Sequence, residues 1–265
     1  MKLLSSAEQA VVNKDFGEIW NTRMARNTII IVPLIMVLFL PVMYLLMIFF
    51  IPANQMNGVD QMMQMLPREA AYFSVKQGMF YIMTNVVCPM FFLMIPLMVS
   101  SVSAASSFVG EKERGTIQTL LLTPLSIKSI FKAKVLSCVF LSAVATGISF
   151  LVFACVISVG DLLLGMPFFL NWNWLVLVLL LAPGITVFGV IFMVLVSGKS
   201  KSYMESIQTS GYIVLPLVLL FVGQFTGLFQ LNALILLVIA AVLLVVDFLL
   251  WFVSARSFTP EKLLK

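Results

Sequence analysis

The sequence predicts an all-α membrane protein: six transmembrane helices, both termini cytoplasmic, and an amphipathic helix lying at the membrane surface before the first span. Three observations carry that prediction. Hydrophobic residues make up 62% of the 265 positions and charged residues only 10%, where a soluble globular chain is about one quarter charged. Six segments are long enough to cross about 30 Å of hydrocarbon as helices, and five of them contain no charged residue. The lysines and arginines collect almost entirely on one side of those segments, as the positive-inside rule requires of the cytoplasmic side.

The elements follow in order along what reads as a single transmembrane domain over residues 1–265. The leader, residues 1–28, has no apolar core of the kind a secretory signal needs. Within it Phe16, Ile19, Trp20 and Met24 recur at helical spacing among Lys14, Asp15, Glu18, Arg23 and Arg26, which predicts an interfacial helix with Trp20 at headgroup level. The bundle, residues 29–253, holds the predicted spans Ile29–Ile51, Met79–Val102, Val135–Val159, Trp174–Val196, Ser206–Phe225 and Asn232–Val253. Pro33, Pro41, Pro89, Pro96, Pro183 and Pro216 fall inside spans, where each frees a carbonyl and permits a kink. The second span ends in a run of small residues from Ser100 to Ser107, which permits close helix approach. Residues 254–265 form a cytoplasmic tail.

Charge counting sets the orientation. The leader carries Lys2, Lys14, Arg23 and Arg26; the connection after span two carries Lys112, Arg114, Lys128, Lys132 and Lys134; the one after span four carries Lys199 and Lys201; the tail carries Arg256, Lys262 and Lys265. The opposite side has only Arg68 and Lys76. Outside, the loops around Asp161–Asn173 and Gly223–Leu231 are short, while Pro52–Gly78 is longer and holds Met56, Met62, Met63 and Met65. That methionine pattern suits either a soft copper site or an amphipathic helix on the outer leaflet.

Several chemistries are excluded. The chain contains no histidine, so Ser-His and Cys-His pairs and HExxH zinc sites are ruled out. Cys88, Cys138 and Cys155 lie in apolar segments without CxxC spacing and read as small core residues. Gly198-Lys199-Ser200 mimics the end of a phosphate-binding loop, but Met193 stands where that motif needs glycine. The net charge of +5 is spread over span edges rather than gathered in a basic domain, which argues against a nucleic-acid partner. Asp247 is the one acid within a span. Intramembrane acids mark ion pathways or buried hydrogen bonds, and here Ser254 and Arg256 are in reach as partners.

The charged turn Glu111, Lys112, Glu113, Arg114 stands apart from all this. Its four charges would cost roughly 10 kcal/mol in hydrocarbon at about 2.5–3.5 kcal/mol each, so it lies outside the bilayer. Gly115 breaks the descending helix, Thr116 is placed to cap a new one, and Ile117, Leu120 and Leu121 form an apolar face that Pro124 ends. Ser126 is placed to cap the next helix, with Lys128, Lys132 and Lys134 anchoring it at the anionic inner leaflet.

The stretch Gly110–Lys134, GEKERGTIQTLLLTPLSIKSIFKAK, resembles the cytoplasmic signature of type 2 ABC transporter permeases, and the resemblance covers nearly the whole chain. Glu111, Glu113, Gly115, Thr116, Leu120, Leu121, Pro124, Leu125 and Lys134 fall on the positions that give the signature its look, while Gln118 stands where many relatives carry an acid. The resemblance implies that Glu111, Glu113, Arg114, Gly115, Thr116, Gln118, Leu120, Leu121 and Pro124 form a cytoplasmic coupling helix between spans two and three. It implies an ATP-binding cassette ATPase as partner, with ATP and magnesium held there and no cofactor on this chain. It also implies a second permease copy or paralogue, in the cell membrane among lipids. The function so implied is the permease of an exporter, and the short outer loops and uniformly apolar spans, which offer no polar cavity for a sugar or free ion, point to an amphipathic or lipid-like small molecule or peptide as its cargo. Its alternatives are an ion efflux permease using Asp247 and a non-transporting membrane anchor or sensor for an ATPase.

Overall fold

The computed structural model describes residues 5–51, 63, 66, 70, 72–123, 125–198, 200, 202–226 and 232–257. Among these every regular element is helical, and six helices are long and apolar enough to span a membrane. A surface helix, α1 (Ser6–Asn21), opens on a capping box in which Ser5 and Glu8 satisfy each other's backbone N–H groups. Thr22, in extended backbone, turns the chain into α2 (Arg23–Phe50). The central helix α3 runs Val75–Glu113, the short α4 spans Thr116–Leu121, and α5 runs Ile127–Leu164. Three further spans complete the bundle: α6 (Trp172–Ser197), α7 (Tyr203–Gln224) and α8 (Ala233–Ser257).

The predicted spans all occur, but several ends differ. At 1.5 Å per residue α3 and α5 are about 58 and 57 Å long, nearly twice the hydrocarbon thickness, so both project well beyond it. Span three therefore starts eight residues before the predicted Val135, and its far end takes in Asp161, beyond the predicted end at Val159 and in the predicted loop. Apolar residues continue through Leu164, and only Gly165, with φ of +64°, ends the helix. The leader helix likewise stops before residue 28, since Met24 already belongs to α2.

In α3, 67% of the apolar window is buried within the chain, against 17% for α7 and for α8. It is the axis on which α2, α5 and α6 pack. Two close approaches pin it. A Cβ on Gly189 of α6 would collide with Ser100 Oγ, and one on Gly160 of α5 would collide with the Phe80 ring. These contacts need a residue without a side chain, which is the packing that the small residues of Ser100–Ser107 foreshadow.

Three turns widen into π-helix: Met83–Val87 and Ala105–Val109 in α3, and Leu177–Leu181 in α6. Pro89 and Pro183 follow directly on the first and third. A proline ring clashes with the carbonyl four residues earlier, and an extra residue in the turn moves that carbonyl aside. The Ala105–Val109 turn has no proline to explain it, and it lies at the charged end of the bundle.

Of the methionine-rich segment, Met56, Met62 and Met65 lie outside the described residues. Met63 and Leu66 pack over Gly78. Cys88 and Cys138 are buried as expected of core residues, whereas Cys155 faces outward.

Candidate functional site

The charged turn closes a junction among α1, α3 and α5. Glu111, at the last turn of α3, is only 1% exposed. Its Oε1 accepts from Lys14 Nζ of α1 at 2.6 Å, and its Oε2 lies 2.9 Å from Lys134 Nζ of α5, an ion pair without hydrogen-bond alignment. Lys134 Nζ also donates to Asp15 Oδ1 at 3.2 Å, to Ser107 O at 2.9 Å and to Ser107 Oγ at 3.1 Å. Ser107 Oγ in turn donates to Asp15 Oδ2 at 2.8 Å. Ser107 lies in the unexplained π turn, and a widened turn tilts carbonyls off the helix axis toward side-chain donors.

Lys134 is thus buried in the protein rather than anchored at the expected inner leaflet. The face of α1 that seats against it is Val11, Asp15 and Ile19, all buried, while Trp20 and Met24 are exposed. Phe16 sits at the side of that face, edge to face with Phe140. Of the expected stripe Phe16, Ile19, Trp20 and Met24, Ile19 is taken up by the protein, while Trp20 and Met24 are left open on the side away from it. Asp15 sits where a hydrophobic residue would ordinarily go because a buried lysine waits opposite.

Burial pushes the Asp15 carboxyl above the ordinary carboxylate range, with the Lys134 ammonium and the Ser107 hydroxyl opposing it. Burial works to lower Lys14, but the hydrogen bond and charge of Glu111, aided by Glu18, outweigh it and hold the ammonium above the usual lysine value. Carboxylate oxygens of Asp15, Glu18 and Glu111 come within 4.8 Å of one another, a spacing a metal could use. Lys14, Lys134 and Arg114 already balance those three charges, so the arrangement is a closed salt-bridge network.

The remaining turn residues extend the junction. Arg114 Nη2 pairs with Glu18 Oε2 at 2.9 Å. Glu113 Oε2 accepts from the Tyr203 backbone N–H at 2.9 Å, and Lys112 Nζ reaches Ser200 O at 3.4 Å, which ties in the α6–α7 connection. Gly115 adopts φ of +70° and is itself the N-cap of α4. Thr116, expected as the cap, is the first residue of that helix and donates instead to Glu111 O. Ser126 caps α5 through the Ser129 N–H as expected.

On α4, Leu120 faces inward, buried with Val11, Ile130 and Ala133. Gln118 is exposed, and Leu122, just past the helix, is 86% exposed. The side chain of Leu121 and the whole of Pro124 lie outside the described residues. Leu122, beyond the expected apolar face, is the large apolar side chain that this corner exposes among the described residues. Its signal is the third leucine of the run Leu120–Leu122, with the polar Gln118 and Thr119 at helical spacing before it.

Asp247 is buried in α8, and neither of its carboxylate oxygens has a hydrogen-bond partner among the described residues. Ser254 Oγ, expected as its partner, is equally buried and equally unpartnered. The Arg256 side chain lies outside the described residues.

A sequence profile of the family described as ABC-2 family transporter protein matches residues 9–259. No curated protein and no solved structure matches.

Proposed function

The chain belongs to the ABC-2 family of transporter proteins, and from that premise we propose that it is the permease of an ATP-driven exporter whose ATPase partner docks on α4 and the turn before it. The junction end of the bundle is then cytoplasmic, with both chain termini on that side. The fourteen lysines and arginines that the sequence assigns to that side of its spans support this orientation.

The observation that carries the coupling role is the burial of Glu111 between Lys14 and Lys134. A partner that pushes on Gln118 and Leu122 displaces α4, and α4 is fixed through Leu120 to the bases of α1 and α5. The salt-bridge network joins those bases to α3. A push at the corner therefore moves three helices together rather than bending a loop. ATP binding by the partner shifts the balance between bundle conformations by the difference in how well each fits the docked ATPase.

The cargo is amphipathic or lipid-like. Apolar clefts of about 140 Å³ between α3 and α7, walled by Met90, Phe91, Leu217 and Phe221, and of about 110 Å³ among α3, α6, α7 and α8 support this. The test uses the permease and its ATPase coexpressed and reconstituted in vesicles. Leu122→Asp is expected to abolish copurification of the ATPase and ATP-driven transport while membrane insertion persists. Unchanged copurification and transport overturn the coupling assignment.

A second reading, ion efflux, draws on the unpartnered carboxylate of Asp247. Under it, Asp247→Asn stops ATP-driven cation movement and leaves assembly intact. Under the amphipathic reading transport of the cargo survives that change.

A further inference from the structure

At the end of the bundle opposite the junction, α3, α5 and the segment leading into α6 enclose a pocket of about 160 Å³. Its wall carries Asp161, which is buried and belongs to none of the ion pairs formed among the described residues. Asp161 Oδ2 accepts from the Phe169 N–H at 2.9 Å, one neutral donor for a full negative charge. Thr84, also in the wall, is buried with its hydroxyl unpartnered among the described residues. It lies in the Met83–Val87 π turn, a distortion that often marks a functional position in a helix.

The pocket is built rather than incidental. Gly165 turns the chain back so that Met166 N bonds Asp161 O, and Gln77 Nε2 fixes Leu164 O to the start of α3. Asn171 bonds Asn85 across the pocket while its own oxygen caps α6 at Trp174. Phe169 backs the wall and meets the rings of Phe153 and Trp174 beneath it edge to face. Phe168, on the rim, is largely exposed.

A buried carboxylate without a cation is costly unless a ligand supplies one, and aromatic faces favour an organic cation by their ring quadrupoles. One carboxylate is too few for a divalent hard metal, which takes six to eight oxygen ligands. We propose that this pocket binds the ammonium group of an amphipathic molecule, with Asp161 as counter-ion, Thr84 Oγ as a hydrogen-bond acceptor and Phe168 and Tyr81 as aromatic walls. The ammonium can belong to a soluble amine or to a lipid headgroup. The site goes beyond the exporter reading and is tested without ATP, so its failure leaves that reading standing.

The experiment titrates the full chain, in nanodiscs of phosphatidylglycerol alone, with benzylammonium, benzyl alcohol and benzoate by calorimetry. Benzylammonium is expected to bind saturably and at least tenfold more tightly than the other two. Asp161→Asn keeps an acceptor for the Phe169 N–H and is expected to lose at least tenfold in affinity. Phe168→Lys, at a largely exposed position, is expected to do the same by placing a positive charge at the mouth. Nanodiscs containing phosphatidylethanolamine separate the two sources: competition with benzylammonium identifies a lipid headgroup, and its absence a soluble amine. Equal affinity for benzylammonium and benzyl alcohol overturns the proposal, as do calcium binding in place of the amine and unchanged affinity in both pocket variants.

Discussion

The two ends of the α3–α5 pair handle buried charge in opposite ways. At the junction, Asp15, Glu18 and Glu111 are matched by Lys14, Lys134 and Arg114, and the Ser107 hydroxyl is used twice. At the far end Asp161 stands with one backbone donor beside an open pocket. A saturated network fixes relative positions and has little left to offer a ligand, whereas an under-satisfied acid leaves the last interaction for something that arrives. The difference separates a joint from a receptor.

The sharpest way to break the contrast is to unbalance the joint. Lys134→Met removes the sole ammonium shared by Asp15 and Glu111 and is expected to cost about 3–5 kcal/mol, because it strands buried charge. Thermal unfolding of the purified chain in one fixed detergent measures it. Neutralising all three positions together, as Asp15→Asn, Glu111→Gln and Lys134→Met, is expected to recover most of that loss. Failure to recover would mean that the network holds the fold by more than charge balance.

Packing in the middle of the pair comes next. Gly189→Val drives a side chain into Ser100 and is expected to cost about 1–3 kcal/mol by overpacking, read in the same melt; Gly189→Val with Ser100→Gly restores part of it. Gly115→Ala is expected to cost roughly 1–2 kcal/mol, the penalty of a left-handed conformation for a residue with a Cβ, and to weaken ATPase copurification more than it lowers the melting temperature. The smallest effect falls on the exposed edge of the joint. A double-mutant cycle on Glu18→Ala and Arg114→Ala is expected to give less than about 1 kcal/mol of coupling, since solvent screens that pair. A larger value would extend the rigid part of the joint to its surface.

Much of this architecture is legible in the sequence. Six charge-poor runs fix six spans, and Gly115 and Ser126 announce a turn and a cap through their own backbone chemistry. What is not legible depends on residues far apart in the chain. Lys134 meets Asp15 across 119 positions, and on its own helix it reads as one more basic residue at a span edge. Asp15 reads as a solvated acid because local periodicity cannot see the lysine that makes its burial tolerable. Asp161 hides for a related reason: an acid near short polar loops looks like loop, and only the three leucines before Gly165 carry the helix past it. The π turns at proline follow from a steric clash visible in sequence, but the one at Ala105–Val109 answers to Lys134 on another helix.

The contact of Gly189 with Ser100 divides α3 unequally. From Ser100 the helix runs 11 residues to Glu111 and 20 to Phe80, or about 16 Å and 30 Å at 1.5 Å per residue. A stiff rod rocked about that crossing is a lever with arms in a ratio of roughly 1.8, from the same rise per residue. One ångström of displacement imposed at the joint becomes nearly two at the rim of the far pocket, with one π turn lying in each arm to take up the bend.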